Sequence, residues 1–196
     1  MDNLDYEKMT DGELVTDYLA GQEEILPIII NRHLKPVYRF VFGLVLDESV
    51  AEDITQDVFI KVWKKIKSYN QEYNFKTWIF SIARNTVIDY WRKKKDIIFS
   101  KFDNAEGDNI ILDTLADNSP DAYEAFAIAE EITDLKDILQ ELPPLYREVL
   151  VLRYISDLSI EEISVILKRP IETVKSQHRR GLMHLKELLL RKQEDK

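Results

Sequence analysis

A chain of 196 residues, 45% of them hydrophobic, can build one or two ordinary domains, and its lack of cysteine excludes disulfides and thiolate metal sites. A formal net charge of −9 excludes a uniformly basic nucleic-acid coat, and no apolar run approaches the length of a membrane span. With only 5 Gly and 6 Pro, and with 3.6-residue apolar periods in place of sustained alternation, the composition is all-α.

The charge is unevenly spread. Residues 1–24 hold eight acids against Lys8, whereas residues 76–95 hold six Lys/Arg against Asp89. Residues 96–121 then hold seven acids against Lys101, and residues 168–192 hold eight Lys/Arg against two Glu. Two basic blocks divided by an acidic strip describe a protein with two basic surfaces. The opening stretch, MDNLDYEKMTDGEL, is acidic and lacks the basic-then-apolar pattern of a signal peptide, so a reducing cytoplasm is the expected compartment.

In chain order, Glu13 to Ala20 is a short amphipathic helix and Ile25 to Leu46 a longer helical pattern. Ile28, Ile29, Leu34, Val37, Tyr38, Val41, Phe42 and Val45 are its core candidates, and Pro36 should kink or break it. After a turn at Asp47 to Ser49 comes a strong helix, AEDITQDVFIKVW, with Ile54, Val58, Val62 (or Phe59), Trp63 and Ile66 as its buried line. Its opposite face sets Asp53, Gln56, Asp57 and Ile60 together at i, i+3, i+4 and i+7. Acids in a first helical turn can simply complement the helix dipole, so a partner surface and a solvated helix start both fit.

A polar and aromatic loop, SYNQEYNF, leads into one long helix over Lys76 to Lys95. Trp78, Ile82, Asn85, Asp89 and Arg92 share a face of it, and Lys93 belongs to the cation block that ends it. Rings beside cations suit a single nucleic-acid strand, whose bases stack while its backbone is neutralised. Trp78 and Trp91 packed as core, with the cations complementing the helix C-terminus, fits the same composition. Residues 96–120 read as a flexible acidic linker with no steady period, holding Gly107, Asn118, Ser119 and Pro120. Helical patterning resumes from Asp121 through Ile128, Ile132, Leu135, Ile138 and Leu139.

The stretch that follows is the most informative. Ser159 begins Ser-Ile-Glu-Glu, a capping box opening a helix whose apolar stripe is Ile160, Ile163, Ile166 and Leu167. Lys168-Arg169-Pro170 ends it, because Pro170 has no amide proton and drives Arg169 out of the α region. A second helix starts at once, with Ile171, Val174, His178, Leu182 and Leu185 as its inner line. So short a turn makes the two helices cross steeply, as in a helix-turn-helix. The outward face carries Thr173, Lys175, Ser176, Gln177, Arg179 and Arg180, phosphate and base-edge donors on a rod that fits a major groove.

Taken together, AEDITQDVFIKVWKKI, FKTWIFSIARNTVIDYWRKKK and LPPLYREVLVLRYISDLSIEEISVIL with PIETVKSQHRRGLMHL resemble the extracytoplasmic-function branch of bacterial RNA polymerase sigma factors. The likeness covers nearly everything except the first residues and the linker. It implies two helical domains: 1–95 for core-polymerase binding and −10 recognition and melting, and 121–196 for −35 recognition, with 96–120 between them. Asp53, Gln56, Asp57 and Ile60 would dock on core RNA polymerase. Trp78, Asn85, Asp89, Arg92 and Lys93 would take the −10 strand of promoter DNA, with Asn85 and Asp89 holding a flipped base. Thr173, Lys175, Ser176, Arg179 and Arg180 would meet the −35 groove. An anti-sigma factor is a further implied partner; no cofactor, metal, catalytic residue or membrane insertion is implied.

Two positions depart from the family pattern. Glu172 stands where the family has Gly, and its carboxylate can accept from cytosine N4. Ser164 stands where Ala is usual. Two other function classes fit the residues less well. A dimeric helix-turn-helix repressor leaves the Trp78–Lys95 block unexplained. A metal-dependent hydrolase finds no ligand spacing among His33, His178 and His184.

Overall fold

The computed structural model describes Tyr6, residues 8–94 and residues 135–194, and all regular structure among these residues is helical. The proposed linker, 96–120, and the helical pattern expected at 121–134 lie outside the described residues.

Among the described residues, the first half is built on the α-helices α1 (Asp11–Leu19), α2 (Leu26–Val45), α3 (Glu48–Lys65) and α4 (Phe75–Lys93). Three of the starts have a side-chain cap. Thr10 and Glu13 form a capping box on α1, the Asp47 carboxylate accepts from Val50 N–H on α3, and the Asn74 side chain accepts from Thr77 N–H on α4. Helix α2 ends at Leu46, whose φ of 58° breaks the helical run. Helices α2, α3 and α4 pack on one another, and the rings of Phe40 and Phe80 meet edge to face at 5.4 Å between α2 and α4.

Helix α1 is tied down by ions. Arg32 donates to the carbonyls of Tyr6 and Met9 and to Asp11, and buried His33 places Nε2 2.9 Å from Asp11 Oδ2. Burial raises the Asp11 carboxyl, but hydrogen bonds and charge from His33 and Arg32 outweigh it and hold the group below its usual range.

The second half comprises α5 (Leu135–Glu141), α6 (Pro144–Leu150), a π-helical turn over Val151–Ile155, α7 (Ile160–Leu167) and α8 (Ile171–Glu194). Helix α8 packs along α6, α7 crosses α8, and the predicted capping box is present: Glu162 N–H donates to Ser159 Oγ at 3.1 Å and Ser159 N–H to Glu162 Oε2 at 2.8 Å. Lys168 closes α7 in the left-handed region at φ 54°, and Pro170 then precedes α8.

The two halves pack together. Helix α7 lies on α4, and the π-helical turn and α6 lie on α2. At Gly43 of α2 the approach is close, since an added Cβ would stand 2.9 Å from Val151 Cγ1. Glu148 of α6, 2% exposed, accepts from Arg84 Nε of α4 at 2.7 Å. Its other oxygen lies 3.1 Å from Arg169 Nη2, an ion-pair distance without hydrogen-bond alignment. Lys76 adds a bond to the Asp157 carbonyl at 3.0 Å, and Asn74 one to Glu162 at 3.2 Å.

Four expectations need correcting. Helix α2 runs unbroken through Pro36, because packing against two neighbours outweighs one lost backbone bond. Leu34, expected in the core, is 44% exposed. Trp63 is 55% exposed: the buried stripe of α3 is Ala51, Ile54, Thr55, Val58, Phe59, Val62 and Ile66, and Trp63 stands one residue beyond Val62, about 100° around the helix. In α8 the buried line is rotated to Val174, Gln177, Gly181, Leu185 and Leu189, so Gln177 faces inward and accepts from Arg169 Nη1 at 3.1 Å. Gly181 explains the rotation, since its missing side chain admits Leu150 and Tyr146 of α6.

Candidate nucleic-acid interface

Helix α3 offers the first surface. With its stripe of seven residues buried, the far side presents Asp53, Gln56, Asp57 and Ile60, all exposed, Ile60 at 48%. Trp63 joins this row at i+7 from Gln56 and i+3 from Ile60. Sequence periodicity assigned it inward because an indole is usually buried. The signal that could have found it was the presence of Phe59 and Val62, which already complete the stripe.

Helix α4 carries the second surface. Trp78 is half-buried and leans on Tyr69, ring centres 5.1 Å apart, and on Phe75 at 5.4 Å, which itself meets His33 at 5.5 Å. The Tyr69 hydroxyl donates to the Tyr73 carbonyl, and burial raises its ionisation range. This cluster fixes the Trp78 ring as the end of an aromatic platform. One and two turns on from Ile82 the helix presents exposed Asn85 and half-buried Asp89, with exposed Arg92 and Lys93 in its last turn. Asp89 is braced: Lys61 Nζ of α3 lies 3.4 Å from its Oδ2 and donates to Thr86 Oγ1 at 3.1 Å. Lys94 lies 5.1 Å from the centre of the Tyr90 ring, whose interaction raises the lysine's range. A ring platform, an amide, a braced carboxylate and terminal cations therefore follow one another along α4.

Helix α8 carries the third. Thr173, Lys175 and Arg179 are exposed and Ser176 and Arg180 half-buried, all on the side away from Val174, Gly181 and Leu185. Glu172 pairs with Lys175 at 2.9 Å, and this hydrogen bond raises the lysine's range. Two histidines of α8 are held by ring contacts: Tyr154 stacks on half-buried His178 at 5.6 Å with its hydroxyl 2.9 Å from Nε2, and Tyr146 stacks on exposed His184 at 5.3 Å. Among the described residues no group of three or more His, Asp or Glu could hold a metal ion, and no helix is long and apolar enough to cross a membrane.

Residues 29–97 match the family described as Sigma-70 region 2, and residues 132–185 match Sigma-70, region 4. The chain is 31% identical over 173 residues to the ECF RNA polymerase sigma factor SigW of Bacillus subtilis, a match spanning 86% of this chain and 91% of that protein. It is 33% identical over 162 residues to SigM of the same organism, spanning 82% and 92%. Among solved structures it is similar to the sigma factor RpoE of Bartonella quintana, crystallised with the anti-sigma factor NepR: TM-score 0.60, 28% identity, covering 82% of this chain and 93% of that one. CnrH, in complex with the cytosolic domain of CnrY, shares the fold at a TM-score of 0.66 and 20% identity, covering 91% and 96%.

Proposed function

This chain belongs to the extracytoplasmic-function sigma factors of the sigma-70 family and directs promoter-specific transcription initiation through RNA polymerase; we propose that its three exposed faces divide that work. The row Asp53, Gln56, Asp57, Ile60 and Trp63 binds core polymerase. Trp78, Asn85, Asp89, Arg92 and Lys93 capture the opened −10 strand. Thr173, Lys175, Ser176, Arg179 and Arg180 read the −35 duplex. The domain boundaries at 95 and 121 follow from the same division.

The observation that carries the reading is the aromatic-to-cation order along α4, which supplies what strand capture needs. Unstacking a base costs a few kcal/mol, and ring stacking returns roughly 1–3 kcal/mol per base. Such a site favours the open duplex only if the base is held, a task suited to the Asn85 amide and the braced Asp89 carboxylate. Helix α8 instead supplies duplex readout: base-edge hydrogen bonds give specificity while phosphate contacts give sequence-blind affinity. The protein contributes binding energy and no catalytic chemistry of its own, and it works in the cytoplasm. Like its relative from Bartonella quintana, it has an anti-sigma factor as a partner.

The test is run-off transcription with core polymerase over a promoter library. Transcripts confined to a subset of promoters, and dependent on the added chain, are expected. No transcript above that of core polymerase alone would overturn the reading. Tight duplex binding without polymerase would point to a repressor instead.

A further inference from the structure

Glu172 is the only acid among residues 171–181, the part of α8 that carries the residues assigned above to duplex reading. At about 100° per residue it falls between Arg179 and Ser176, about 20° from one and about 40° from the other. Lys175 flanks it about 60° round, and buried Val174 and Gly181 lie on the opposite side. The carboxylate therefore stands at the centre of the reading face. Its side chain is 77% exposed and accepts from Lys175 Nζ at 2.9 Å. A first-turn carboxylate also complements the helix dipole, but that role needs no place among the reading residues.

A carboxylate carried into a major groove accepts hydrogen bonds and donates none, and the phosphates around it repel it. Two base groups there can satisfy it, the amino groups of cytosine (N4) and adenine (N6). The adenine amino group lies between its own N7 and thymine O4, so a carboxylate on that pair meets acceptors on both flanks. In a C·G pair the amino group stands at one end, and guanine O6 and N7 follow it. One donor and then two acceptors is the complement of a carboxylate beside an ammonium. Lys175 supplies the ammonium, and lysine to guanine O6 and N7 is a favoured contact. The Glu172–Lys175 hydrogen bond already sets acceptor and donor side by side. Such an exposed pair adds little to stability, which leaves both groups free to exchange partners.

Resting on the assignment of α8 to the −35 duplex, we propose that Glu172 and Lys175 form a composite reader of one C·G base pair. Glu172 accepts from cytosine N4, and Lys175 donates to guanine O6 and N7. The reader works by exclusion as well as attraction. A reversed G·C pair turns the acceptors towards Glu172 and the amino group towards Lys175, so like meets like. Glu172 is thus a specificity residue, and the cations around it supply the affinity it lacks.

The test is holoenzyme binding to one responsive promoter in which each −35 position is varied over all four base pairs. With the wild-type chain, one position should favour C·G by at least about fivefold over the other pairs. Glu172→Ala should flatten the preference at that position alone and strengthen binding to the non-cognate pairs there. Glu172→Gln keeps the shape and adds a donor. It should turn the preference to A·T, because an amide pairs with adenine N6 and N7. Lys175→Ala should flatten the same position, marking the two residues as one reader. An unchanged base profile in both Glu172 variants overturns the proposal. With a uniform rise in affinity Glu172 merely repels phosphates, and with no rise it merely serves the helix start. Either result leaves the sigma-factor reading intact, whereas a wild-type profile flat at every −35 position overturns the assignment of α8 and the proposal with it.

Discussion

Lys61 Nζ of α3 lies 3.4 Å from Asp89 Oδ2 of α4, so the helix proposed to hold polymerase also braces a residue proposed to hold a base. Both side chains are substantially exposed, and such a pair is worth no more than about 0.2–1 kcal/mol. Its role is positional. Lys61→Ala should therefore slow open-complex formation mildly, in the same direction as Asp89→Ala but by less. Asn85→Ala should slow it more than Lys61→Ala while leaving core binding intact. Permanganate reactivity of the −10 bases reads both. A normal footprint in Asn85→Ala would place the base-holding site elsewhere.

Charge reversal at Asp53 and Asp57 should sharply weaken core-polymerase binding with little change in Tm, since exposed substitutions usually stay within about 0.5 kcal/mol. Trp63→Ala should behave alike, because a half-exposed indole gives little to the core and much to a partner. Titration of core polymerase with each variant decides it. Undiminished affinity in Trp63→Ala would return that residue to plain solvent exposure.

Specificity and affinity should separate along α8. Arg179→Ala should weaken the cognate −35 sequence more than a scrambled one, by roughly 1–3 kcal/mol of lost discrimination. Lys186→Ala, further along the helix, should weaken both equally and reduce the salt slope by about 0.9 if it neutralises one phosphate. Holoenzyme binding across a salt series distinguishes them, and an equal shift for Arg179→Ala would make it a backbone contact.

Acid should loosen α1 first. The Asp11 carboxyl is held below its ordinary value of 3.8, so its folded-state range lies under its unfolded one. Its contribution is full above the unfolded value and is lost as pH falls through the lowered one. Asp11→Asn should remove that part of the acid transition and cost about 2 kcal/mol at neutral pH, the worth of hydrogen bonds to a charged group. Urea melts at pH 7 and in the acid limb, compared between the two proteins, give the answer.

Gly181→Ala should destabilise the protein by about 1–3 kcal/mol, because the new methyl would sit 3.1 Å from Leu150 Cγ and 3.2 Å from Tyr146 Cβ. Relief by Leu150→Ala in the double variant would confirm the source of the strain.

Helix starts and the helix-turn-helix were legible because their causes are local: Ser159 needs only Glu162, and Pro170 needs only Arg169. The α3 face was legible from spacing alone. Trp63 and Gln177 were misjudged because residue type was allowed to stand for orientation, when Phe59 and Gly181 had already settled which side could be buried. Pro36 shows tertiary packing overriding a local preference. The Arg84–Glu148 bond spans 64 residues, and nothing in either segment's periodicity points to the other. Long-range ionic contacts of this kind leave no local trace in a sequence.

All three tryptophans, Trp63, Trp78 and Trp91, fall in the first half, and each sits in a different setting: a half-exposed surface row, an aromatic cluster and the flank of a cation-rich helix end. Grown with a fluorinated indole, the chain would give three fluorine resonances, one reporting on the proposed polymerase face, one on the proposed base-stacking platform and one on the cationic terminus. The second half would be magnetically silent. Promoter opening could then be followed stage by stage on unmodified DNA, with the protein supplying its own spectroscopic clock.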